Sequence, residues 1–206
     1  ADKDRKSIFS CVSTKIYGLA GVLFVAMIFA CIPTTNLSLM IEGEGIGTAT
    51  NTGTAMAVYS VGTMLGSAAF GYMKKAVGIY VLPLSYFFNG AGFFGVAMSH
   101  SLMAVIMFLM LAGFGTGALL CAYLARAEEL SRLAYVAFSV SMMAAANGLG
   151  NFIHPTFVSL CDSLFGGVYG RGAIKASGVS LAAMGMILLI IYLVTAKNRL
   201  NEKLLD

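Results

Sequence analysis

Three polar side chains in one apolar stretch have the types and spacing that could do chemistry. Asn147, Asn151 and His154 follow each other at intervals of four and three residues, which places them on one face of an α-helix. Pro155 has no N–H group, so it leaves the carbonyl group of Asn151 without its usual helical donor. The pattern predicts a polar stripe with a free acceptor in an apolar setting.

This stripe has two interpretations. Polar groups inside apolar spans are costly and are functional candidates by default, so Asn147, Asn151 and His154 are candidate residues of a substrate pathway. Alternatively, the two asparagines bond neighbouring helices and His154 caps a buried carbonyl group. Histidine changes its charge near neutral pH, so His154 is also a candidate proton carrier.

A second candidate lies in the run Pro33-Thr34-Thr35-Asn36. Pro33 removes the helical donor of the Phe29 carbonyl group, and the Thr and Asn side chains that follow can bond to nearby backbone groups. Interrupted helices of this kind form binding sites in membranes, so Asn36 is a candidate pathway residue. The alternative is a kink that Thr and Asn stabilise without a ligand.

Several other chemistries lack the residues that they need. The four cysteines have no C-x-x-C spacing, so no metal site and no disulfide framework are predicted. The sequence has no nucleotide-binding G-x-x-x-x-G-K-[ST] run, and no cofactor is predicted. A hydrolase would have to pair Ser177 with His154, but Ser177 lacks the first glycine of a G-x-S-x-G elbow. We therefore predict that the chain is not an enzyme.

The elements that carry these residues are strongly apolar. Of 206 residues, 59% are hydrophobic and 11% are charged, whereas soluble domains have about 25% charged residues. Six stretches reach the roughly 20 residues that a membrane-crossing helix needs. They cover residues 17–40, 48–73, 79–98, 102–125, 133–160 and 174–196. The sequence thus predicts an all-α membrane protein with six transmembrane helices within residues 16–196, a linker at 1–15 and a tail at 197–206.

Charge predicts the orientation of these spans. Eleven of the 13 Lys and Arg residues fall on one side of them, and only Arg171 and Lys175 fall on the other. Basic residues accumulate in cytoplasmic loops, so both termini are predicted to be cytoplasmic. No basic cluster belongs to a soluble fold, which argues against nucleic acid binding. Gly113, Gly115 and Gly117 predict a close helix crossing.

The loop between the second and third spans resembles a motif of the major facilitator superfamily, G-x-L-x-D-R-x-G-R-R. The segment Gly71-Tyr-Met-Lys74-Lys75-Ala-Val-Gly78 keeps both glycines, while Lys75 replaces the acidic residue and the arginines are lost. The motif's charge relay is therefore not implied here. With six spans and both termini on one side, the chain resembles the C-terminal half of such a transporter, helices seven to twelve.

This resemblance implies a fold of two inverted three-helix repeats. It also implies a secondary active transporter that moves a small solute by alternating access, with coupling to protons left open. The implied partners are the solute, the N-terminal six-helix half of the same protein and the lipid bilayer. The implied location is the inner membrane of a bacterial cell. The alternatives are a non-transporting membrane scaffold or degenerate half and, more remotely, an intramembrane hydrolase.

Overall fold

The computed structural model describes residues 13–205, and it describes side chains for residues 13–195. Seven α-helices and two short 3₁₀ turns make up this part of the chain, which contains no strand. The 3₁₀ turns are Gly78–Tyr80 and Leu133–Tyr135. The helices are α1 (Thr14–Gly43), α2 (Ala49–Val77), α3 (Val81–Met98), α4 (Leu102–Leu130), α5 (Val136–Ile153), α6 (Pro155–Phe165) and α7 (Arg171–Leu205).

Five helical stretches in the described residues are long and apolar enough to cross a membrane, whereas the sequence predicts six. The difference comes from the stretch Ala49–Met98, which has 50 residues and contains both α2 and α3. The other four are Thr14–Gly43, Leu102–Leu130, Leu133–Phe165 and Arg171–Thr195. These helices are consistent with a multi-pass membrane protein.

Two helix breaks have a local cause. Gly78 ends α2 with a φ of 59°, in the left-handed region that glycine adopts without steric cost. The predicted fifth span is divided at His154, because Pro155 begins α6 and supplies no N–H group to the turn before it. This span is therefore two helices in series and not one.

Glycine brings α2 and α4 into close contact. A Cβ atom at Gly66 would overlap the carbonyl oxygen of Phe114, and one at Gly113 or Gly117 would overlap the carbonyl oxygen of Tyr59 or Thr63. The predicted close crossing at Gly113 and Gly117 is thereby confirmed. Small residues at such crossings let the helix backbones approach, which gives van der Waals packing in place of a hydrophobic driving force.

The third helix occupies the centre of a row of helices. It packs against α4 on one side and α7 on the other. Gly115 of α4 lies against the backbone of Asn89, and Gly90 lies against the backbone of Gly178 and Ala182 of α7. On the far side of the molecule, α1 packs against α5 and α7, which brings the Pro33 run next to the Asn147 stripe.

The predicted ends differ from the observed helix bounds. Helix α1 already begins at Thr14, inside the predicted linker, and residues 1–12 lie outside the described part of the chain. Helix α7 continues through the predicted tail as far as Leu205. The apolar composition predicts only residues 174–196 of this helix, because the helix continues into the polar segment that follows.

Candidate functional site

A hydrogen-bonded network joins α1 to α5. Cys31 Sγ donates to Asn151 Oδ1 at 2.8 Å, and Asn151 Nδ2 donates to the carbonyl oxygen and Oδ1 of Asn147 at 2.9 and 3.1 Å. Asn151 is exposed, and Asn147 and Cys31 are half-buried. We call Cys31, Thr35, Asn147, Asn151 and His154 the α1–α5 polar network. The stripe predicted from sequence is thus bonded to a second helix, and it remains open on one side.

The free acceptor predicted at Asn151 is occupied. His154 Nδ1 lies 2.6 Å from the carbonyl oxygen of Asn151, so the imidazole replaces the donor that Pro155 does not supply. This is the capping role that the sequence left open as an alternative. His154 itself is buried, because its ring turns back along α5 toward α1.

The second nitrogen of His154 reaches α1. Nε2 lies 3.3 Å from Thr35 Oγ1, which also lies 3.0 Å from the carbonyl oxygen of Ile32. When His154 is neutral with its proton on Nδ1, the Thr35 hydroxyl can donate to Nε2. The same hydroxyl can also donate to the carbonyl oxygen of Ile32. His154 therefore bridges the Asn151 carbonyl group and Thr35.

Asn36 lies beside this network, under the loop that precedes α7. Its Nδ2 donates to the carbonyl oxygen of Ile32 at 2.8 Å and to Thr35 Oγ1 at 3.3 Å. Gly170 covers it so closely that a Cβ atom there would lie 2.9 Å from the Asn36 Cβ atom. The side chain is buried, and it connects to His154 through Thr35. In this conformation Asn36 stabilises the Pro33 turn of α1.

A cavity of about 170 Å³ lies beside Asn147 of the network, between α1, α4 and α5. Asn147 provides its amide lining, and apolar side chains and Tyr123 form most of the remainder. The other lining residues are Leu23, Leu120, Leu124, Met143 and Ala144. Such a cavity, apolar with one amide, has the composition of a small-molecule site.

The loop residues Gly71, Lys74, Lys75 and Gly78 lie at the C-terminal end of α2. Lys74 pairs with Glu129 of α4 at 2.8 Å, and Lys75 is exposed. A Cβ atom at Gly71 would contact nothing within 4 Å, whereas Gly78 has the positive φ described above. Of the two glycines in this loop, only Gly78 therefore has a local backbone reason for glycine.

An ionic cluster lies where α1 and α3 end and α7 begins, and it was not predicted as a site. Arg171 forms a bidentate pair with Glu44 and donates to the carbonyl oxygens of Ala97 and Ser99. The Arg171 and Glu44 side chains are 17% and 20% exposed. From sequence, Arg171 served only as a marker of orientation, and its pairing with Glu44 could not be predicted because 127 positions separate the two residues. The cluster fastens the first turn of α7 to the ends of α1 and α3.

A second missed group lies between α3 and α4. Asn89 Nδ2 and Tyr59 Oη both donate to Thr116 Oγ1, at 2.9 and 3.0 Å. Thr116 in turn donates to the carbonyl oxygen of Ala112. Asn89 is fully buried and its Oδ1 has no hydrogen-bond partner in the described residues. From sequence, Asn89 stood alone as an asparagine in the third span, and its partners Tyr59 and Thr116 could not be predicted because they lie on two other helices.

The residues of the hydrolase alternative have other partners. Ser177 is fully buried and donates to the carbonyl oxygen of Ala173 at 3.0 Å, whereas His154 contacts Asn151 and Thr35. Within residues 13–195, no group of three or more His, Cys, Asp and Glu side chains is placed to hold a metal ion. Cys31, Cys121 and Cys161 are free thiols.

Comparisons with known proteins add no family assignment. No protein-family model matches the chain, and no curated protein is significantly similar to it in sequence.

Proposed function

We propose that this chain is the C-terminal six-helix half of a secondary active transporter of the major facilitator type. It moves a small solute by alternating access, together with an N-terminal six-helix half. The observation that carries the proposal is the α1–α5 polar network, which contains no Lys, Arg, Asp or Glu, is open on one side and adjoins the cavity at Asn147. Polar groups in such a place are explained by a pathway for solute or water.

The length of Ala49–Met98 supports six spans in place of five. A straight helix of 50 residues is about 75 Å long at 1.5 Å per residue, more than twice the ~30 Å hydrocarbon core. The turn at Gly78 divides it into α2, with 29 residues, and α3, with 18 residues, and each has at least the roughly 17 residues that one crossing needs. With α5 and α6 counted as one interrupted span, the proposal has six crossings, and the positive-inside rule supports a cytoplasmic position for both termini. The proposed membrane is the inner membrane of a bacterial cell.

The order of helix contacts supports two inverted repeats. If the first three spans are exchanged for the last three, α1 corresponds to α4, α2 to α5, and α3 to α7. The pair α2–α4 then maps onto α5–α1, and the pair α3–α4 maps onto α7–α1. The pair α3–α7 maps onto itself. All of these pairs are in contact. Repeats of three helices that are related in this way surround the binding site of facilitator-type transporters.

A substrate-independent test uses Cys31, whose thiol belongs to the network. The test uses the full-length protein in proteoliposomes and a variant that keeps Cys31 as its only cysteine. N-ethylmaleimide should alkylate Cys31 faster than a control cysteine outside the pathway, because a transport pathway is hydrated and the thiolate is the reactive form. The matched control places the only cysteine at the exposed position 193 of α7 by Leu193→Cys. Equal slow labelling of both positions would overturn the pathway.

The scaffold alternative is favoured by one observation, the bond from Cys31 to Asn151, which also joins two helices with no need for a solute. Asn147→Leu combined with Asn151→Leu separates the two functions. The pathway predicts loss of solute uptake or efflux with normal membrane insertion, and the scaffold predicts unchanged flux. The control is Thr195→Val, which removes a hydroxyl bonded only within α7.

A further inference from the structure

A second cavity lies where α2 and α4 end. It has a volume of about 170 Å³ and is enclosed by the last turns of α2 and α4, the start of α3 and one residue of α7. Its apolar walls include Phe70, Leu82 and Tyr192. Its charged rim is Lys74, Arg126 and Glu129. We call it the interfacial cavity, because charged side chains at the end of apolar helices lie at headgroup depth.

The rim carries two cations and one carboxylate. Glu129 accepts from Lys74 Nζ and from Arg126 Nη1, both at 2.8 Å. These side chains are 43%, 37% and 42% exposed for Lys74, Arg126 and Glu129. Ion pairs with this exposure are weak and rearrange readily. The rim therefore has a net charge of +1 and can turn its cations toward an incoming anion.

We propose that the interfacial cavity binds one anionic phospholipid, with the phosphodiester between Lys74 and Arg126 and an acyl chain along Phe70, Leu82 and Tyr192. Basic pockets between membrane helices bind such headgroups. Arg126 offers a planar fork of donors to two phosphate oxygens. A free phosphate ion would leave the apolar walls uncovered, and a choline headgroup would bring a third cation to the rim.

This site needs the helices to lie in a membrane, but it does not depend on transport. Binding is measured on the purified full-length protein by native mass spectrometry in detergent, with titration of phosphatidylglycerol. The same titration with phosphatidylcholine tests the charge preference, and inorganic phosphate as competitor tests for a headgroup-only site. We expect phosphatidylglycerol to bind at least ten times more tightly than phosphatidylcholine, with no competition by millimolar phosphate.

Variants of the rim give effects in opposite directions. Lys74→Gln with Arg126→Gln should weaken phosphatidylglycerol binding at least tenfold, while Lys75→Gln, which removes a neighbouring charge outside the cavity, should change it less than twofold. Glu129→Gln frees both cations and should strengthen binding several-fold, a result that misfolding does not imitate.

Equal binding of the two lipids, displacement by inorganic phosphate, or weaker binding in Glu129→Gln would each overturn the lipid site. None of these outcomes affects the labelling of Cys31. The lipid site and the proposed transport function are therefore tested by separate experiments.

Discussion

His154 Nδ1 lies 2.6 Å from the carbonyl oxygen of Asn151, the group that Pro155 leaves without a helical donor. A carbonyl oxygen only accepts hydrogen bonds, so the ring nitrogen is the donor. His154 thereby supplies the hydrogen bond that its neighbour Pro155 cannot donate. Because its other nitrogen contacts Thr35, the same side chain also joins the broken span to α1.

The repair by His154 predicts a coupling between two substitutions. His154→Ala should lower the free energy of unfolding by about 1–2 kcal/mol, because the Asn151 carbonyl group loses its donor in an apolar setting. Pro155→Ala restores a backbone N–H group to that carbonyl. In this background His154→Ala should cost about 1 kcal/mol less, as measured by unfolding in detergent.

The loss of the Thr35 contact is common to both backgrounds, so it cancels in the double-mutant cycle. A cost of His154→Ala that is the same with Pro155 and with alanine at that position would show that the ring does not replace the missing donor.

The cluster at Arg171 predicts a large effect on stability from a residue outside the network. Arg171→Ala leaves the Glu44 carboxylate and two carbonyl groups unpaired in a mostly buried place. We expect the free energy of unfolding to fall by about 2–3 kcal/mol. Thermal unfolding in detergent measures this.

The matched control is Lys175→Ala, which removes the other basic residue on that side of the spans. It should change stability by less than about 0.5 kcal/mol, as is usual for substitutions away from such clusters. If the two variants melt at the same temperature, the Arg171 pair does not hold α7 to α1 and α3.

The crossing of α2 and α4 predicts that two glycines of one helix respond differently to alanine. Gly66→Ala places a methyl group on the Phe114 carbonyl oxygen, so the helices must separate at a cost of about 2 kcal/mol. Gly53→Ala meets open space and should be neutral or stabilise by up to about 1 kcal/mol through helix propensity. Comparable losses of melting temperature for both would contradict the close crossing.

A buried tyrosine pair predicts non-additive effects. The hydroxyl oxygens of Tyr86 and Tyr123 lie 2.6 Å apart, and both side chains are fully buried. Each single Tyr→Phe change should destabilise by about 1–2 kcal/mol, since it leaves one hydroxyl group unpaired. The double change removes both groups and should cost no more than a single one. Additive losses in chemical unfolding would mean that the two hydroxyl groups act independently.

The positions of the long apolar helices could be predicted because apolarity and length are local properties. The boundary between α2 and α3 was predicted from the Lys74 and Gly78 loop, and the structure places a turn there. The division of the fifth span was not predicted, although Pro155 was known to remove a donor. Whether another group, here His154, replaces that donor depends on the three-dimensional arrangement.

The sequence by itself determined that the chain is helical and apolar, and that Asn147, Asn151 and His154 share one helix face, because helical periodicity is set by the backbone. Only the tertiary structure decided which helix that face meets. Cys31 and Asn151 are 120 positions apart, and Arg171 and Glu44 are 127 apart. Their meeting depends on how closely the helices pack, which glycines such as Gly66 and Gly150 control through contacts with other helices.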